Sequence, residues 1–294
     1  MNAWLREWKR DKKTWMMQQL VVMGISLLIF LLYLINKNCL FAVVSLIKNL
    51  PREFSILLGF DAATETGNLS FFLLYSGMIL SFLFIWNAMS RCGRGFYADE
   101  FNGSVYSLCN QWYSRKQLFR IHYECSVLSF LTGYLMWYLE LMLLILIGSL
   151  NASQRIRGMG MLTGMMLRGL FVGWMLISLI SLFAVAPKSG RRIQTENWIS
   201  ALLLGTLAVG NLYKIRDMIG WFITCIGRDS SVLMRAFKWL DGLYWMSPLT
   251  WINPFTDNAG MKFGVIQIFL CTGISLFATK LAYSRYEKRN LVWG

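Results

Sequence analysis

The stretch Met16–Ile35 carries no charged side chain and is long enough to cross a bilayer core of about 30 Å as a single helix. Five further apolar stretches read as spans, at 69–89, 125–150, 169–186, 198–213 and 263–283. Backbone placed in hydrocarbon must satisfy its own hydrogen bonds, and helices do this within one segment. The pattern predicts an all-α integral membrane protein with six transmembrane helices in a single domain, 1–294. Pro187 ends the fourth span. The fifth is clear only to Tyr213, where Lys214, Arg216 and Asp217 interrupt it before a second apolar stretch, 218–226.

Composition agrees with that class. Apolar residues make up 56% and charged residues 15%, against roughly 45–50% and about 25% in soluble domains. The net charge of +14 comes from 29 Lys and Arg against 15 Asp and Glu. In so apolar a chain, basic loops facing an anionic leaflet explain that excess better than nucleic acid does. Lys and Arg are roughly twice as dense in segments 1–15, 90–124, 187–197 and 280–294 as in 36–68, 151–168 and 213–262. By the positive-inside rule the first set is cytoplasmic. Both termini are then cytoplasmic, in a multi-pass protein of the cell membrane, most simply a bacterial plasma membrane. The first apolar run is too long, and its charged leader too extended, for a cleavable signal peptide.

Residues 1–15 precede the first span. On a helix Trp4, Trp8 and Trp15 share one face, and Arg6, Lys9, Arg10 and Lys13 fall mostly opposite. This predicts an amphipathic helix lying in the interface, anchored by its Trp residues among lipid headgroups. The external segment 217–258 is rich in aromatics and broken by Ser247-Pro248 and Asn253-Pro254. It predicts short re-entrant helices before the last span.

The six Cys are scattered without a CxxC pair, and His122 is the sole histidine. Neither a disulfide framework nor a multi-histidine metal site is expected. Glu140 is the one acid deep within a span, where an ionisable group is costly and must face protein or a cavity. It is a candidate for a pathway or gating group. The alternative is a structural acid, protonated or hydrogen-bonded, paired with Tyr, Ser or Asn of a neighbouring span. Gly160, Gly164, Gly169 and Gly173 predict close helix approach, within the chain or at a dimer seam.

The central loop, 96–122, is the most distinctive segment. Asp99 and Glu100 precede the turn signal Asn102-Gly103, and Ser104 follows. Ser114 with Gln117 three residues on reads as a capping box, after which Arg115, Lys116 and Arg120 bring positive charge to the membrane surface. A solvated connector would share these features.

The order Glu100, Gly103-Ser104, Leu108, Ser114-Arg115, Leu118 resembles the loop between spans two and three in permease subunits of ABC-2 type ABC transporters. The resemblance extends to the N-terminal helix, the six spans, Tyr244–Phe255 and the basic tail from Tyr283 to Leu291. It departs at Gln111-Trp112-Tyr113, where the family usually has Pro, and at His122, where Lys is common. The resemblance implies that 96–122 forms a coupling helix, with Asp99, Glu100, Gly103, Ser104, Ser114, Arg115 and Arg120 meeting a cytoplasmic ATPase present in two copies. A second permease subunit, identical or related, would complete the pathway. Independently of the resemblance, the aromatics and Pro breaks of 217–258 make Trp245, Ser247, Pro248 and Trp251 candidates for an external gate.

No Gly-Lys-Ser/Thr occurs in the chain, so ATP and Mg would be held by that partner and not here. The function expected is export of an amphiphilic cargo such as an antimicrobial peptide, a drug or a lipid. The alternative is a non-catalytic membrane scaffold or sensor. An intramembrane enzyme fits less well, because one His and one deep acid leave little catalytic equipment.

Overall fold

A computed structural model of the chain describes residues 3–35, 69–101, 114–148, 151–185, 199, 201–206, 208, 212–226, 231–240, 247, 251–252 and 261–288. Among these the chain is almost entirely helical, with no strand. The helices are α1 (Ala3–Ile35), α2 (Leu69–Phe101), α3 (Arg115–Gly148), α4 (Ala152–Val185), α5 (Leu212–Cys225), α6 (Ser231–Ala236) and α7 (Met261–Lys288). Five segments are long and apolar enough to cross a membrane: Lys12–Ile35, Leu69–Phe96, Arg115–Gly148, Ala152–Val185 and Gly264–Lys288. This is the architecture of a multi-pass helical membrane protein.

Several helices outrun the spans expected from hydropathy. Helix α1 is continuous from Ala3, so the amphipathic stretch is the first part of the spanning helix and not a separate element. Helix α2 continues to Phe101, so the first residues of the expected loop, 96–101, are the end of a long helix. Helix α4 starts at Ala152, not Gly169, and the expected loop 151–168 is mostly helix. A helix of 34 residues is about 51 Å long, well beyond a core of about 30 Å. The added turns are stable because one face is buried. In α4 that face includes Gly158, Leu162, Met165 and Met166, while Arg157 on the same helix is exposed.

The expected fifth span lies partly outside the described residues. Residues 201–206 are helical, and Ile199 and Leu203 are buried. Helix α5 begins at Leu212 and carries straight through Lys214, Arg216 and Asp217. Short helices do occur in the next segment, as α5 and α6, followed by a 3-10 turn at 251–252.

Helix α4 packs against α2, α3 and α7, and α1 lies on α3 and α2. Two glycines set the closeness of α3 and α4. A Cβ at Gly169 would collide with the Tyr134 ring and hydroxyl, and one at Gly173 with the Phe130 ring. Absence of a side chain at these positions lets the two aromatics lie against the α4 backbone. Gly160 faces open space and Gly164 meets only Arg168 of its own helix, so half of the glycine stripe takes no part in this contact. Buried polar pairs also join helices: Trp137 Nε1 donates to Ser26 Oγ at 3.0 Å, and the Tyr134 and Ser81 hydroxyls are 2.9 Å apart.

Helix directions follow from the pairings. Glu7 meets His122 and Ser26 meets Trp137, so α1 and α3 run the same way. Phe96 meets both Phe119 and Tyr286, and Cys92 lies against Ile177. Helices α2, α4 and α7 therefore run opposite to α1 and α3. The outward surface is apolar, with Leu139, Leu143, Phe269 and Phe277 among its exposed side chains. In water such a continuous patch would drive association; in lipid it is the proper solvent.

Candidate functional site

The site predicted from the sequence is the end of the bundle from which residues 102–113 emerge. Four helix ends meet there: the start of α1, the end of α2, the start of α3 and the end of α7. Helix α3 begins with a reciprocal cap. Gln117 N donates to Ser114 Oγ at 3.2 Å, and Ser114 N donates to Gln117 Oε1 at 2.9 Å. This is the capping box expected from the sequence, and it satisfies two amides that a helix start otherwise leaves without partners.

Beyond the cap the helix divides its faces. Arg120 is exposed and pairs with Glu124 one turn on, Nε to Oε1 at 2.6 Å. Lys116 Nζ lies 2.9 Å from Glu287 Oε1 of α7 and 5.8 Å from the centre of the Tyr283 ring. Arg115 is half-buried. The opposite face carries Leu118, Phe119 and His122, all buried.

An aromatic cluster joins the four ends. Phe96 of α2 lies 5.3 Å from the Phe119 ring, 5.3 Å from His122 and 5.7 Å from Tyr286. Phe119 also meets Tyr283 edge-on at 5.8 Å. Above this cluster, His122 Nδ1 is 2.9 Å from Glu7 Oε1, and both side chains are buried. A buried carboxylate needs such a partner, because its desolvation would otherwise be uncompensated.

One turn further in, Tyr123 forms a polar hub between α3, α4 and α7. Its hydroxyl accepts from Trp174 Nε1 at 2.8 Å and lies 3.0 Å from Thr279 Oγ1, which donates to the Ser275 carbonyl at 2.7 Å. It lies 2.8 Å from Ser178 Oγ, which donates to the Trp174 carbonyl at 2.9 Å. Tyr123 is therefore left to donate to Ser178.

The remaining sequence-predicted residues divide by location. Asp99 and Glu100 stand on the last turn of α2, and Gly103 and Ser104 lie outside the described residues. Trp4 is in the first turn of α1. Trp8 and Trp15 do share a face, their rings 5.8 Å apart, but that face is turned at least partly toward the bundle. Trp15 Nε1 donates to the Ser129 carbonyl at 2.9 Å, and the Arg91 guanidinium sits 5.7 Å above the Trp8 ring.

Glu140 is half-buried on α3, and its Oε2 is buried with no hydrogen-bond partner. The Tyr, Ser or Asn partner that a structural acid would need at that oxygen is not among the described residues. In the segment 217–258, Ser247 Oγ donates to the Thr206 carbonyl at 2.5 Å. Trp251 and Ile252 are buried, while Trp245 and Pro248 lie outside the described residues.

Sequence reasoning missed Glu7, Arg91 and Tyr123. Glu7 carried a usable signal, as an acid within a strongly basic segment. Among the described residues no group of three or more His, Cys, Asp or Glu could hold a metal ion. No family model matches the chain, and neither a curated protein nor a solved structure matches it.

Proposed function

We propose that the chain is the permease subunit of an ATP-driven ABC transporter that exports an amphiphilic cargo. Two permease chains enclose the pathway, and a separate ABC ATPase, in two copies, holds ATP and Mg. The observation that carries this reading is the joining of four helix ends around the point where residues 102–113 emerge. Helices α2 and α3 extend past their apolar cores and are tied to α1 and α7 by the aromatic cluster, the Glu7–His122 pair and the Lys116–Glu287 pair. A force applied to the intervening loop moves all four helices together, which is what coupling to an ATPase requires.

The helix directions support six spans. Helices α4 and α7 both end at the same side of the bundle, so the chain crosses once more between 186 and 260. The helical residues 201–206, inside the fifth apolar stretch, are the natural place for that crossing. The density of Lys and Arg supports placing the joined ends in the cytoplasm. The buried Trp251 and the Ser247–Thr206 bond support a folded external cap, which serves as the outer gate.

The test is purification of the full chain co-expressed with stand-alone ABC ATPases from its own source, followed by ATP turnover in vesicles. One ATPase co-purifies and is stimulated, and Glu100→Arg or Gly103→Trp weakens its hold while the membrane protein keeps its yield and melting temperature. Reversed charge at an interface opposes docking. Absence of any ATPase partner, or unchanged coupling in both variants, overturns the reading in favour of a scaffold or sensor.

A further inference from the structure

Helices α5 and α6 pack chiefly on each other, and among the described residues neither makes a contact of comparable extent with the long helices. Arg216 Nη1 of α5 donates to the carbonyl of Phe237, just past α6, at 3.3 Å, which closes the pair into a hairpin. The hairpin is rooted at one point. Ser247 Oγ, which follows it, donates to the carbonyl of Thr206, which precedes it, at 2.5 Å. Leu212 comes six residues after Thr206, so α5 starts within about 22 Å of that root. Helix α7 begins soon afterwards, at Met261, at the end of the bundle opposite the four-helix junction.

The hairpin presents one strongly apolar face. Ile215, Ile219, Phe222 and Ile226 fall within about 60° of arc at about 100° per residue, and all four are exposed, Phe222 and Ile226 by 60% and 61%. Ile226 continues the helix, its amide donating to the Phe222 carbonyl at 3.2 Å. The other side differs. Gly220 is buried, and the Thr224 hydroxyl donates to the Gly220 carbonyl at 2.7 Å. From α6 onward the exposed apolar residues Val232, Phe237 and Trp239 alternate with the exposed cations Arg235 and Lys238.

Three surroundings are open to such a hairpin. In water its apolar stripe would have no partner and would drive association. Within the hydrocarbon core, α5 is too short to cross: its 14 residues span about 21 Å, and a crossing takes about 20 residues. Lys214, Arg216 and Asp217 in its first turns would also be costly there. At the membrane surface the stripe meets acyl chains while the charges stay among headgroups, and Trp beside Lys and Arg suits that layer.

We infer that the α5–α6 hairpin is a membrane-surface anchor. It lies flat in the leaflet at the end of the bundle opposite the four-helix junction, with Ile215, Ile219, Phe222 and Ile226 on the acyl chains. A re-entrant helix would be wrapped by its surroundings at core depth; a flat one touches lipid tails along one face only. The bilayer is the occupant of that face because the hairpin leaves and returns at one root beside spans already in lipid. Arg235 and Lys238 then meet lipid phosphates, whereas burial in a seam between two copies would desolvate them. The anchor does not depend on the transporter reading, since a scaffold would be held to the leaflet equally well.

The test uses the full chain with the photoreactive residue benzoylphenylalanine in place of Phe222, Ile219 or Thr224, one at a time. Each variant is reconstituted in vesicles of phosphatidylcholine and phosphatidylglycerol, illuminated and analysed by mass spectrometry. All three positions lie outside the packed core, and Ile219 carries the test if the Phe222 variant does not fold. Adducts with lipid acyl chains form at positions 222 and 219 with a yield several-fold above that at 224. Equal acyl-chain yields at all three positions mean an immersed, re-entrant helix and overturn the flat anchor. Covalently joined pairs of chains in place of lipid adducts mean a seam between copies, and neither product means a solvated hairpin; each of these overturns it too.

Discussion

Removing the Tyr123 hydroxyl tests how the last helix is held to the bundle. In Tyr123→Phe the ring keeps its stacking on Phe119, with centroids 6.0 Å apart and planes 8° from parallel, so little packing changes. The polar losses can be counted. Ser178 and Thr279 keep backbone acceptors, at 2.9 Å to the Trp174 carbonyl and 2.7 Å to the Ser275 carbonyl. Only the Trp174 indole N–H, at 2.8 Å in the native hub, loses its acceptor outright. An unsatisfied buried donor costs about 1–3 kcal/mol. Hydrogen bonds between membrane helices average about 0.6 and reach about 1.7 kcal/mol. The expected loss is therefore about 1–1.5 kcal/mol, read by reversible unfolding in mixed micelles with increasing sodium dodecyl sulfate. Trp174→Phe removes the same donor, so the double variant Tyr123→Phe/Trp174→Phe should cost clearly less than the sum, with a coupling of about 1 kcal/mol. A loss below about 0.3 kcal/mol, or additive single effects, refutes the hub as a shared energetic unit.

Three further outcomes follow from the packing and the charge pattern. Gly173→Leu drives a side chain into the Phe130 ring and should destabilise the α3–α4 contact by about 1–3 kcal/mol, whereas Gly160→Leu, facing open space, should leave the same unfolding curve unchanged. Lys116→Ala removes an exposed ion pair to Glu287 and should leave the unfolding curve unchanged, while Glu7→Ala removes a buried partner of His122 and should cost about 1–3 kcal/mol and speed proteolysis within the first turns of α1. Cysteine placed at Thr64 or Asp257 should react with an impermeant thiol reagent on intact cells, and at Ser189 only after permeabilisation; the reverse pattern inverts the topology.

What hydropathy reads well is where lipid must be, and it reads poorly where a helix ends. Met16–Ile35 was legible as a span because nothing in it is charged. The continuation back to Ala3 was not, because its stability comes from contacts distant in sequence: Glu7 on His122, Arg91 over Trp8, Trp15 on the Ser129 carbonyl. The same three Trp residues that read as a membrane anchor include two turned at least partly onto protein, since an amphipathic stripe is equally suited to a headgroup layer and to a neighbouring helix.

Helix α4 shows the opposite fault. Gly158, Leu162, Met165, Met166 and Gly169 already spell a buried helical face. Arg155, Arg157 and Arg168 lower its hydropathy, so hydropathy alone places 151–168 between two spans. A charge excludes a residue from the lipid-facing surface of the core, but it does not exclude a helix that projects beyond the core. The capping box at Ser114 and Gln117 was legible because its partners are three residues apart. Tyr123 was not, because what makes it informative is its three partners, Trp174, Ser178 and Thr279. Only a fold that brings α3, α4 and α7 together defines it.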